Sequence, residues 1–250
     1  MAWFHDPAPR AGAAGRLFCL PYAGGSAAVY RDLGRAVSPG LEVKAVQLPG
    51  RGWRLREAPV RDLGPLAEQV AEAIVPFADR PFLLFGHSMG AWLGLLVARG
   101  LERRGVEPVA LLASGRQAPA LGCTEPELAG LSDDAFVDEV QRRYGGIPQL
   151  IREDHDLLAL LLPALRADIE ALERYRHTPQ PKLRCPIIAL GGTDDPVVPV
   201  ESLAGWAEET CGSFEIATFP GRHFYFQDNP GLLARLVEQR FEMAACELAR

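Results

Sequence analysis

Short apolar runs alternate along the chain with stretches whose apolar residues recur every three or four positions. The runs Leu17–Leu20, Leu41–Gln47, Phe82–Phe85, Val109–Ala113, Ile187–Leu190 and Phe214–Phe219 have strand length and read as strands. Between them, Ser26–Val37 reads as a helix with Ser26 near its N-cap. Leu63, Leu66, Val70, Ile74 and Phe77 fall on one helical face, and Ala91–Arg104 reads as a helix ended by Gly105. A last helix starts at Asn229-Pro230, a good N-cap residue followed by proline at the first helical position. Strands alternating with helices predict an α/β fold: a mostly parallel sheet with helices on both faces. No internal repeat is visible.

One segment breaks this rhythm. From about Ala118 to Lys182 no strand pattern occurs. Ser132-Asp133-Asp134 looks like a helix start, followed by Phe136, Val137, Val140 and Tyr144. Leu157–Leu162 is an apolar run leading into Pro163 and Ala164–Tyr175. A parallel crossover needs far fewer residues. The length and greasy character of the segment therefore predict a helical insertion that covers a pocket, a lid, over about 118–182; plain sheet cover is the competing reading. Residues 1–15, rich in Pro, Gly and Ala, are expected to form a flexible tail before a single domain of 16–250.

Composition narrows the function classes. With 48% hydrophobic and 23% charged residues, the chain is an ordinary soluble globular protein, and a formal charge of -6 argues against nucleic acid as its partner. The five cysteines, Cys19, Cys123, Cys185, Cys211 and Cys246, are scattered and form no C-x-x-C, so neither a disulfide framework nor a metal site is expected. No apolar run reaches membrane-spanning length and the N-terminus has no signal-peptide core, which makes a cytoplasmic protein the expectation. No cofactor motif is present: the glycines of the early loop match neither G-x-G-x-x-G nor G-x-x-x-x-G-K.

The chemistry is carried by Gly86-His87-Ser88-Met89-Gly90, which fits G-x-S-x-G between a predicted strand and a predicted helix. A nucleophilic serine must stand clear of the backbone on a tight strand-to-helix turn. Glycines on either side let strand and helix pack closely, and the helix N-terminus faces the developing negative charge. A serine hydroxyl needs a base, and the base needs an orienting acid. In this motif class the acid and then the histidine follow the serine along the chain. Asp194 and Asp195 follow the strand Ile187–Leu190, and His223 follows the strand ending at Phe219, so all lie at strand C-terminal ends where sites in open α/β sheets gather. Asp195 is favoured over Asp194 because it directly precedes Pro-Val-Val-Pro. His5 lies in the tail, His87 should point away from the Ser88 hydroxyl, and His155 and His177 lie in the insertion. The oxyanion needs two N–H donors: one from Met89, and one from the loop Leu20–Ser26 with its glycine pair.

With these residues in place, the chain resembles the type II thioesterases, stand-alone α/β-hydrolases that accompany polyketide synthases and nonribosomal peptide synthetases. The matching segments are LFCLPYAGGSAAVYRDL (17–33), VQLPGRGWRLREAP (46–59), PFLLFGHSMGA (81–91), SGRQAP (114–119), LLLPALRADIEALERY (160–175), CPIIALGGTDDPVVP (185–199) and FPGRHFYFQDNP (219–230). They are collinear and span nearly the whole chain. The resemblance implies Ser88, Asp195 and His223 as a catalytic triad, the backbone N–H groups of Ala23 and Met89 as the oxyanion hole, and 118–182 as a helical lid. It implies hydrolysis of acyl thioesters on the phosphopantetheine arm of acyl or peptidyl carrier proteins, with no cofactor and no membrane partner. The helix GAWLGLLVARGLE and the lid entrance LGCTEPELAGLSDD depart from the family pattern, which leaves the acyl preference open. A free esterase or lipase would use the same triad, and a non-catalytic carrier-binding module would not need one.

Overall fold

The computed structural model describes residues 3–123 and 126–248, with side chains to 244. Residues 1–2 of the expected tail, 124–125 of the expected lid and the Cys246 side chain lie outside the described residues. In chain order the strands are β1 (Phe4–His5), β2 (Gly15–Leu20), β3 (Leu41–Val46), β4 (Phe82–His87), β5 (Ala110–Ser114), β6 (Ile187–Gly192) and β7 (Phe214–Phe219). The α-helices are α1 (Arg31–Ala36), α2 (Leu63–Ile74), α3 (Met89–Arg103), α4 (Asp133–Tyr144), α5 (Gln149–Glu153), α6 (His155–Arg174), α7 (Tyr225–Asp228) and α8 (Pro230–Leu248).

The strands form one sheet in the order β1-β3-β2-β4-β5-β6-β7. All neighbours are parallel except β1, which pairs antiparallel with β3. Every residue of β2, β3, β4, β5 and β6 is buried, which is why β2, β4, β5 and β6 carry apolar runs, while β3 also buries the charged Glu42 and Lys44. Alternate residues feed two cores. Phe18, Leu20 and Leu84 pack with α2, α3 and the insertion on one face. Leu17, Cys19 and Phe85 pack with α1 and α8 on the other. After β3 the chain crosses back to place β4 on the other side of β2, so the strand order reverses between β2 and β4. The crevice at their C-terminal ends is the place where such sheets bind ligands.

Two local differences from the sequence reading stand out. The segment expected to be a tail supplies β1, and the Arg10 side chain donates to the carbonyl of Leu41 at 2.9 Å. The helix expected over Ser26–Val37 begins as a 3-10 turn, Ala27–Tyr30, before α1, with the Ser26 hydroxyl accepting from the Ala28 N–H at 3.3 Å. The described residues of 118–182 hold no strand of the sheet. They carry α4, α5 and α6 between β5 and β6. Ser132 caps α4 by accepting from the Ala135 N–H at 3.5 Å, and Asp154 caps α6 by accepting from the Leu157 N–H at 2.9 Å. Helix α6 runs through Pro163 without ending, although proline can donate no bond to the preceding turn.

Candidate active site

The G-x-S-x-G stretch forms the turn between β4 and α3. Ser88 sits at φ 54° and ψ -115°, the one non-glycine residue with positive φ among the described residues. Such a conformation costs on the order of 1–3 kcal/mol and persists only where the surroundings enforce it. Here the Ser88 N–H donates to the Ser114 carbonyl at 2.7 Å, and its own carbonyl accepts from Ala91 at 3.0 Å. The flanking glycines are required sterically. A Cβ on Gly86 would stand 1.8 Å from the Gly90 carbonyl oxygen, and one on Gly90 would stand 2.3 Å from that of Leu20. Helix α3 therefore starts against the backbone of β4 and β2, and Ser88 makes no side-chain capping bond.

The loops after β6 and β7 bring the other two side chains together. His223 is 2% exposed, and its Nδ1 lies 2.7 Å from Asp195 Oδ2. The other carboxylate oxygen of Asp195 accepts the N–H groups of Val197 at 2.9 Å and Val198 at 3.3 Å. This anchoring fixes Nδ1 as the protonated ring nitrogen and leaves Nε2, which has no hydrogen-bond partner among the described residues. Asp194 has a different place: it is exposed, and its Oδ2 accepts from the Gly221 N–H at 3.3 Å, tying the two loops together. The same two loops meet at Gly192, where a Cβ would lie 2.5 Å from the Gly221 carbonyl oxygen.

His87 lies beside the site with its ring turned into the core. Its Nδ1 is 2.8 Å from Ser114 Oγ, which is 2.6 Å from the Tyr225 hydroxyl. Its ring lies 4.9 Å from that of His223 and 4.7 Å from that of Phe226. Burial, reinforced by the neighbouring His223, holds it well below the ordinary histidine range, so it stays neutral.

The loop after β2 forms a turn in which the Gly25 N–H donates to the Tyr22 carbonyl at 2.9 Å and Gly24 takes φ +76°, a conformation that favours glycine at the third turn position. Ala23 precedes Gly24. Ala23, Ser88 and His223 line one cavity of about 450 Å³, part of it open to solvent. Its remaining wall comes largely from the insertion: Val140, Tyr144 and Ile147, then Leu165, Ile169 and Leu172. Met89 follows Ser88 as the first residue of α3. All five residues singled out from the sequence thus fall at the C-terminal ends of β2, β4, β6 and β7.

Other members of this site carried no local signal. Arg51 and Asp168 form a buried bidentate pair, Nη1 to Oδ2 at 2.5 Å and Nη2 to Oδ1 at 2.8 Å. Asp168 Oδ2 also accepts the Gly24 N–H at 2.8 Å. Both residues sit in segments that resemble the type II thioesterases, but their pairing spans 117 positions. Among the described residues no cluster of side chains could hold a metal ion, and no helix is long and apolar enough to cross a membrane.

A mostly parallel sheet with a serine on a strained strand-to-helix turn, and a His–Asp pair on two later loops, defines an α/β-hydrolase. The chain belongs to the thioesterase family and, within it, to the type II thioesterases of polyketide and nonribosomal peptide assembly lines: the thioesterase-domain model matches residues 15–241. It is 37% identical to the gramicidin S biosynthesis protein GrsT of Aneurinibacillus migulanus over 242 residues, covering 96% of this chain and 90% of that one. It is 42% identical to thioesterase PikA5 of Streptomyces venezuelae over 227 residues, 90% and 79% of the two chains. The type II thioesterase BorB from the borrelidin biosynthetic cluster has the same fold, with a TM-score of 0.88 at 40% identity over 95% of this chain and 97% of that one.

Proposed function

We propose that this thioesterase removes acyl groups from the phosphopantetheine arm of carrier proteins through an acyl-Ser88 intermediate. The observation that carries the reading is the His223–Asp195 pair, 2.7 Å apart, whose histidine shares a cavity with a serine held at positive φ. Ser88 Oγ attacks the thioester carbonyl while His223 Nε2 takes its proton, and Asp195 holds the resulting imidazolium by its Nδ1–H. The N–H groups of Ala23 and Met89 receive the oxyanion. Collapse expels the pantetheine thiolate, which takes the proton from His223. Water then attacks the acyl-serine, gives its proton to His223, and the carboxylic acid leaves as Ser88 recovers that proton. The apolar wall of Val140, Ile147, Leu165, Ile169 and Leu172 suits an acyl chain.

The insertion is taken as a lid that admits the long flexible arm. The carrier protein, bearing acyl-phosphopantetheine, is the macromolecular partner. Cytoplasmic placement accords with the free thiols of Cys19, Cys185 and Cys211. The test is a set of acyl groups presented on a carrier protein, on free pantetheine and as alkyl esters. The reading expects kcat/KM to be highest on the carrier. Faster turnover of the matched alkyl esters would instead make the chain a small-molecule esterase.

A further inference from the structure

The oxyanion turn is not held by its own loop alone. Gly24 combines positive φ with a second glycine behind it, the least restrained backbone a chain can present. An N–H donor stabilises an oxyanion strongly only when its direction is fixed before the reaction. The fixing group lies 144 residues away on α6. Asp168 Oδ2 accepts the Gly24 N–H at 2.8 Å, and Leu165, one turn earlier on the same helix, closes on Gly24 so tightly that a Cβ there would meet its Cδ1 at 2.9 Å. A lone carboxylate beside a developing oxyanion would oppose the reaction. Arg51 removes that problem: it pairs with Asp168 through two bonds and donates to the Gly25 carbonyl at 3.3 Å on the far side of the turn. Arg51 is 2% exposed and Asp168 is 1% exposed. A pair so buried gives up its hydration on folding, and an apolar pair of similar volume would serve stability as well. Its burial is therefore weak evidence that it is kept for stability.

We infer that Asp168 is a positioning residue of the oxyanion turn, with Arg51 as its counter-charge, so that the insertion sets the rate of acylation as well as covering the cavity. This rests on the reading that the Ala23 N–H receives the oxyanion. The double variant Arg51→Met/Asp168→Leu separates positioning from stability, because it removes both buried charges and the acceptor for Gly24 together. Its melting temperature should approach that of the wild type. On an acyl-carrier protein, kcat should fall at least about ten-fold with KM changed less than about three-fold, the pattern of a lost transition-state interaction. Amide exchange at Gly24 should accelerate in parallel. Arg51→Met alone, which leaves the carboxylate uncompensated, should lose both stability and kcat. Should the double variant fail to fold, Asp168→Glu keeps the charge balance while moving the carboxylate by one methylene, and the same fall in kcat at unchanged KM is expected. Wild-type kcat in a folded double variant, or in Asp168→Glu, would overturn the inference and leave the proposed function standing. A wild-type enzyme inactive on every thioester would remove both.

Discussion

At the scale of single residues, two adjacent aspartates with the same local setting have different jobs. Asp195 accepts two backbone N–H groups and the His223 ring, whereas Asp194 lies exposed and links two loops. Asp195→Asn should therefore lower kcat by about 10³- to 10⁴-fold by presenting the wrong tautomer, while Asp194→Asn should stay within about ten-fold of wild type. Steady-state kinetics of the two variants decides this, and the reverse order would move the acid to Asp194. His87 gives a pH prediction. Its folded pKa is depressed, so below about pH 6.5 the unfolded chain takes up a proton that the folded chain does not. The stability it contributes is present above that pH and is lost as pH falls below it. Urea midpoints from pH 7 to pH 5 should decline less steeply in His87→Asn than in wild type, and identical slopes would show that His87 is not the group responsible.

At the scale of elements, Gly86 and Gly90 decide how closely α3 approaches the sheet. Gly86→Ala places a methyl group inside contact distance of the Gly90 carbonyl and should destabilise by about 3 kcal/mol or more, measured by urea denaturation; a loss under about 1 kcal/mol would mean that the helix shifts freely. The insertion divides in two. Leu162, Ala164, Ala167 and Asp168 are buried, whereas Leu150, Leu157 and Leu160 are exposed. Amide exchange over 149–160, where no residue is buried, should be faster than over β4, and should slow when a non-hydrolysable acyl-pantetheine mimic binds. Protection equal to that of β4, unchanged by the mimic, would make the insertion plain sheet cover. The strands were legible because β2, β4, β5 and β6 are buried on both faces and each carries an apolar run of at least four residues, whereas β3 alternates apolar residues with the buried Glu42 and Lys44. Strand β1 was not, because two half-buried residues carry no period. The 3-10 stretch Val200–Glu209 was missed as well, since Leu203 and Trp206 are its only buried hydrophobic residues.

At the scale of the whole molecule, the site is assembled from four strand ends and two inserted helices, α4 and α6. Ser88 and His223 were readable because each sits in a local pattern after a recognisable strand. The Arg51–Asp168 pair was not, because each partner alone looks like a surface charge and only folding across 117 positions brings them together. The central claim is that carrier-bound acyl groups are released through the Ser88 hydroxyl. The most direct measurement is titration with a fluorophosphonate, following acyl-carrier hydrolysis and peptide-mapped label on the same samples. The account expects activity to fall in proportion to one label per chain, all of it on Ser88. Undiminished hydrolysis with Ser88 fully labelled, or loss of activity that tracks a label elsewhere, would contradict it.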